Sequence, residues 1–130
     1  MYLVACKWIA NGDVGYKKPM EYLSSPTLDE DEIAYATAVM GLAAHQNELI
    51  NGLPLYFWLD TASGLNKITL SYYNDKETFD LWNNSAPHAE FLNARTAFMN
   101  KTGITLQVVQ KEVDDLLYSV SYDSANELFS

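Results

Sequence analysis

Several scarcities bound what this chain can do. It carries one cysteine, Cys6, so an internal disulfide and a cysteine-rich metal cluster are both excluded. That usage suits a reduced, cytoplasmic setting. It has one arginine, Arg95, and two histidines, His45 and His88, whose separation matches no metal-ligand spacing. No metal and no bound cofactor are expected. Basic residues number 8 against 17 acidic ones, a formal charge of −9. A phosphate backbone is repelled by such a surface, which argues against nucleic acid as a partner. No apolar run approaches the ~20 residues that span a bilayer. The opening stretch MYLVACKWIA has neither the basic start nor the cleavage site of a secretory signal, so no membrane association is expected. Phosphate loops, nucleophile elbows and paired-carboxylate motifs are missing too.

What is present is apolar material in quantity. At 130 residues, 48% hydrophobic and 13% aromatic, the chain is long enough for one domain with a true core. We expect a single domain over residues 1–122 and a flexible tail over 123–130, DSANELFS.

Residues 2–10 alternate as a strand, with Tyr2, Val4, Cys6 and Trp8 on one face and Leu3, Ala5, Lys7 and Ile9 on the other. An ordered loop follows, with a helical turn near Met20–Leu23. Thr27 and Glu30 form a capping box that opens a long helix ending at Asn51-Gly52. Ile33, Ala36, Met40, Ala43, Asn47 and Ile50 share one stripe of it. Leu53–Asp60 and Lys67–Tyr73 read as a hairpin turning at Gly64. Asn74, boxed by Glu77, caps a helix bearing Phe79 and Trp82. Ser85 caps the next helix, which has Pro87 in its first turn and stops at Thr102-Gly103. Ile104–Val113 is a fourth strand, and Leu116–Tyr122 a short fifth strand or an arm on a neighbouring subunit.

The order strand, helix, strand, strand, helix, strand predicts an α+β, ferredoxin-like βαββαβ fold: a four-stranded antiparallel sheet with both helices on one face. The other face also carries apolar residues. Sheet-against-sheet pairing in a homodimer would cover it.

The stretch ITLSYYNDKETFDLWNNSAPHAEF resembles the dimeric α/β-barrel superfamily, and most of all its antibiotic-biosynthesis-monooxygenase group. The resembling features are the apolar strand ending at the aromatic Tyr73, the acidic helix start from Asp75 to Phe79, and the Ser85-Ala-Pro87-His88 step. The resemblance runs from Gly52 to about Val113. It implies a pocket between sheet and helices and, in the group's cofactor-free oxygenases, a small aromatic or polyketide-like substrate. The haem-degrading branch resembles this chain at Trp82. Its histidine position falls on Leu92, with His88 one turn early, and its first-strand asparagine falls at Lys7-Trp8. Two of three positions depart, so haem is not an implied cofactor.

The candidate site residues follow. His88, near a helix start among amides and aromatics, is either a general base or a helix-starting residue packed on Trp82. Trp82, Trp58, Tyr56 and Tyr73 either line a site for a flat ligand or serve as core, and Asn84 either orients a ligand or marks a break between helices. His45 reads as a structural group near a helix C-terminus, and Arg95 as a surface group or an ion-pair partner of Glu90. The acidic run Asp29-Glu30-Asp31-Glu32 is a solvated first turn or a docking edge for a basic partner protein. Two functions are therefore open. One is a cofactor-free, monooxygenase-like enzyme acting on a small aromatic molecule. The other is an acidic, non-enzymatic binding or inhibitor protein.

Overall fold

The computed structural model describes residues 1–24, 29–52, 54–114 and 121–130. They divide into two compact units that interleave along the chain: Met1–Tyr16, Pro54–Phe79 and Ile104–Ser130 form one, Lys17–Leu53 and Asp80–Gly103 the other.

The first unit is built on a four-stranded antiparallel sheet. Its strands are β1 (Tyr2–Ile9), β2 (Leu55–Asp60), β3 (Lys67–Tyr73) and β4 (Thr105–Glu112), in the spatial order β2-β3-β1-β4. With helices following β1 and β3, this is the ferredoxin-like α+β arrangement. The register pairs Cys6 with both Thr69 and Val108, and Trp58 with Thr69. Directly opposed residues share a face. Tyr2, Cys6, Trp8, Tyr56, Trp58, Lys67, Thr69 and Tyr73 therefore stand on one side of the sheet. Leu3, Ala5, Phe57, Leu59, Ile68, Leu70 and Tyr72 stand on the other.

The second of these faces has its own cover. The segment read from sequence as a flexible tail is helical, forming α5 (Tyr122–Asn126) and a 3₁₀ turn over Glu127–Phe129. Ser121 caps α5 by accepting from the Ser124 N–H at 3.2 Å. Ala125 joins Leu3, Ala5, Ile68, Leu70 and Tyr72 in one buried cluster, and Tyr122, Leu128 and Phe129 pack on it. The spacing of Tyr122, Ala125, Leu128 and Phe129 explains the difference: a short apolar stripe lies within a polar-looking end. The Lys7 ammonium lies 6.0 Å over the Phe129 ring. The predicted fifth strand, Leu116–Tyr122, lies outside the described residues except for Ser121, which caps α5, and Tyr122, which opens it.

The second unit is helical. It holds α1 (Pro19–Leu23), α2 (Glu30–Ile50) and α4 (Ala86–Thr102); α3 (Lys76–Asn83) begins in the first unit and ends in the second. Asp29 caps α2, its carboxylate accepting from the Asp31 and Glu32 N–H groups at 3.0 and 3.2 Å. The expected cap, Thr27, lies outside the described residues. Lys101, at the end of α4, meets Asp29 at 3.2 Å, so the two helices run antiparallel. The predicted stripe on α2 holds in half of its positions: Ala36 is buried and Ile33 and Ile50 are half-buried, but Met40, Ala43 and Asn47 are exposed, and Tyr35 and Gln46 are buried in their place. A helix apolar on nearly every side carries no phase in its sequence, so the large ring of Tyr35 sets the inward face instead.

The α3 cap falls one residue beyond Asn74, since Asp75 accepts from the Thr78 N–H at 2.7 Å. Ser85 caps α4 as expected, accepting from the His88 N–H at 3.3 Å while its hydroxyl donates to the Trp82 carbonyl at 2.7 Å. Gly103 closes α4 with φ 76°. Ser85→Ala loses both bonds and should lower the unfolding free energy by about 1 kcal/mol, read as a lower urea midpoint at unchanged m-value. Among the described residues no helix is long and apolar enough to cross a membrane.

Candidate functional site

In the sheet unit, the face bearing Tyr2 to Trp8 is dominated by rings. Asn11 and Val14 close a tight turn in which Gly12 takes φ 62°. The Ala10 N–H donates to Asn66 Oδ1 at 2.8 Å, which holds this segment along the β2–β3 hairpin loop. A Cβ on Gly15 would lie 2.9 Å from the Leu65 carbonyl oxygen, so only glycine fits there. Tyr16 is thereby carried onto the sheet, where it stacks on Trp8 (ring centroids 4.0 Å, planes 6° apart) and on Trp58 (5.4 Å, 25°).

A polar bracket holds this stack at the hairpin end. The Trp58 Nε1–H donates to Asp60 Oδ1 at 3.2 Å, and buried Lys67 pairs with the same oxygen at 2.6 Å. Lys67 also donates to the Gly64 carbonyl. At the opposite end, Phe79 sits against Tyr73 (5.1 Å) and Tyr2 (5.4 Å). Tyr56, 53% exposed overall, has its hydroxyl beside Thr69 and Cys6. Burial of that end pushes the phenol up to about 12, Cys6 adds to the rise, and the Thr69 hydrogen bond opposes it.

Register therefore places the three predicted sheet aromatics, Tyr56, Trp58 and Tyr73, on one face, but in separate surroundings. Trp58 joins Trp8 and Tyr16, and Tyr73 joins Phe79 and Tyr2. Tyr16→Ala should leave Trp8 and Trp58 without their shared neighbour. We expect a loss of about 3 kcal/mol in stability, with a change in near-ultraviolet circular dichroism from the two indoles.

In the helical unit, the rings form a continuous line. Tyr22 meets Phe98 edge-on at 5.2 Å, Phe98 stacks on Tyr35 at 4.5 Å, and Tyr35 reaches Phe91 at 5.9 Å. Phe91 then contacts His88 at 5.7 Å, and His88 meets Trp82 edge-on at 5.4 Å. His88 sits in the first turn of α4 because Ser85 caps its N–H. The residue is 9% exposed, and its Nδ1 is buried with no hydrogen-bond partner among the described residues. Burial first, and the Arg95 guanidinium second, hold the imidazole pKa below its ordinary 6.5. The imidazole is thus neutral near pH 7 and able to accept a proton.

Arg95 makes no ion pair with Glu90 among the described residues; its guanidinium lies 5.5 Å over the Phe91 ring. Trp82 is buried beside His88, whereas Asn84, just past the end of α3, is exposed and its N–H donates to the Asp80 carbonyl at 3.0 Å. His45 is exposed on α2. Sequence reasoning missed Tyr16, for which Gly15-Tyr16 in a turn-rich loop was the available signal.

No protein-family model matches the chain, and no curated protein matches it significantly in sequence. Solved structures do match. A protein from Deinococcus radiodurans, inferred to be an antibiotic biosynthesis monooxygenase, aligns over 93% of this chain and 100% of its own with a TM-score of 0.53 at 10% identity. SnoaB, a cofactor-independent oxygenase from Streptomyces nogalater, aligns over 91% of this chain and 97% of its own with a TM-score of 0.51 at 11% identity. At such identities the likeness establishes the fold. The chain has the α+β fold of the antibiotic-biosynthesis-monooxygenase-like proteins.

Proposed function

We propose that the chain is a cofactor-free, monooxygenase-like enzyme acting on a small aromatic or polyketide-like molecule, with His88 as its general base. The observation that carries this reading is the neutral imidazole of His88 beside Trp82, its Nδ1 buried with no hydrogen-bond partner among the described residues. A buried polar atom left unmade costs about 1–3 kcal/mol, and catalytic groups are where such costs are tolerated. Likeness in fold to a cofactor-independent oxygenase supports it. In this reading Trp82 is a substrate contact beside His88 and Asn84 an orienting amide.

The chemistry needs no metal. His88 removes a proton from an activated C–H; the resulting carbanion transfers electrons to O₂ and a C–O bond forms. Return of the proton gives a hydroperoxide, which loses water to leave a carbonyl. The balance is CH₂ + O₂ → C=O + H₂O. For the docking alternative, Asp29, the first acid of the run, is already engaged by its own helix and by Lys101. A hydroxylated anthrone tests the proposal. Quinone formation should require both protein and O₂ and be indifferent to chelator. Formation no faster than without protein, or abolished by chelator and restored by metal, would contradict it.

A further inference from the structure

We infer that the substrate carries an anionic oxygen on its aromatic frame and that Arg95 binds this oxygen, setting the substrate's acidic proton against His88. The inference rests on the oxygenase reading above and narrows its substrate class. Three observations support it. First, His88, Phe91 and Arg95 recur at helical spacing along α4, a helix of 17 residues, and so share one face of it. The first and last of them are seven residues apart, ~10 Å along the axis, about the length of a bicyclic aromatic. Phe91 touches both: its ring lies 5.7 Å from the imidazole and beneath the Arg95 guanidinium.

Second, the one arginine of an acidic chain is half-buried and meets no carboxylate among the described residues. A guanidinium presents a planar fork of donors matched to a carboxylate or phenolate, and stacking on Phe91 occupies only its face. Third, the row ends in the first turn of α4, where the helix dipole adds positive potential, and there the Nδ1 of His88 is buried with no partner among the described residues. Cation and dipole ask for an anionic oxygen, the orphaned imidazole nitrogen asks for the substrate's proton, and Trp82 and Phe91 provide ring contacts for its frame. Arg95 is then a substrate-binding and positioning residue, while the proton goes to His88.

Isothermal titration of the full-length chain tests this with two matched pairs. One is 2-naphthoate against 2-naphthamide. The other is ionised 4-nitro-1-naphthol against its methyl ether. Each anion should bind about 10-fold or more tightly than its neutral partner. Arg95→Gln should erase that preference while leaving the neutral ligand's Kd within about 2-fold, and Arg95→Lys should restore part of it. A preference confined to one pair still supports the inference and says whether carboxylate or phenolate is the handle. Equal binding of anion and neutral partner, or a preference that survives Arg95→Gln, overturns it and leaves the oxygenase reading standing. A charge preference without any oxygen consumption sinks the oxygenase reading alone. Absence of binding by all four probes overturns the inference.

Discussion

Deleting residues 122–130 should destabilise the protein by about 3–4 kcal/mol and lower its Tm by about 10 °C. Leu3, Ala5, Ile68 and Leu70 have no exposed surface in the full chain. Much of one side of that cluster is closed by Tyr122, Ala125, Leu128 and Phe129. Complete burial of a large apolar side chain contributes about 1.5–3 kcal/mol, and Tyr122, Leu128 and Phe129 are each half-buried. Ala125→Arg should act in the same direction, since a guanidinium cannot enter a site that is 1% exposed without displacing α5. Truncation would bare an apolar sheet face of the kind that pairing of two copies covers. Truncation should therefore promote self-association, measurable by sedimentation, and a homodimer of the intact chain is tested in the same run. A truncated chain that melts within 2 °C of the intact protein would refute the packing role of α5.

The second large effect is on turnover. His88→Ala should reduce kcat/KM on an anthrone by about 10²–10⁴-fold, the usual contribution of a positioned base. His88→Phe, which keeps a ring against Trp82, should be equally inactive yet close to wild type in Tm. A purely structural histidine would show the reverse: activity retained in the phenylalanine variant. The pH dependence has a definite sign. The imidazole pKa is depressed in the folded protein, so the neutral base persists below pH 6.5 and the acid limb of kcat/KM should have its midpoint below that value. For stability, the unfolded chain binds the proton first as pH falls. The penalty is absent well above 6.5, appears as pH falls through it, and is complete once the folded pKa is passed. His88→Phe should remove this acid-side loss.

Local signals carried most of the fold. Alternation placed β1 and β3, and glycine or asparagine stops placed the ends of α2 and α4 at Asn51 and Gly103, both with positive φ. Period-two patterning put Tyr56 with Trp58 on one side of β2, but only the pairing of Tyr56 with Ser71 and of Trp58 with Thr69 sets Tyr73 on that same face. What local pattern lacked was the long-range partner. Tyr16 gains its role from Gly15 lying against Leu65, fifty residues away in sequence. The α5 stripe is too short to be distinguished from a frayed end without the Leu3–Leu70 face it covers. The phase of α2 was illegible because small apolar residues surround it on all sides. His88 was legible as a candidate from its cap and its neighbours. Its orphaned nitrogen and the nearby Arg95 guanidinium became visible only once α4 was wound and Phe91 stood between them.

Dissolved oxygen followed at an electrode, with chelator-treated protein and a hydroxylated anthrone, tests the central claim most directly. Wild type should consume one O₂ per quinone formed, and His88→Phe, folded and of similar Tm, should consume oxygen no faster than buffer. Equal oxygen uptake by the two proteins would contradict the assignment of His88 as the base.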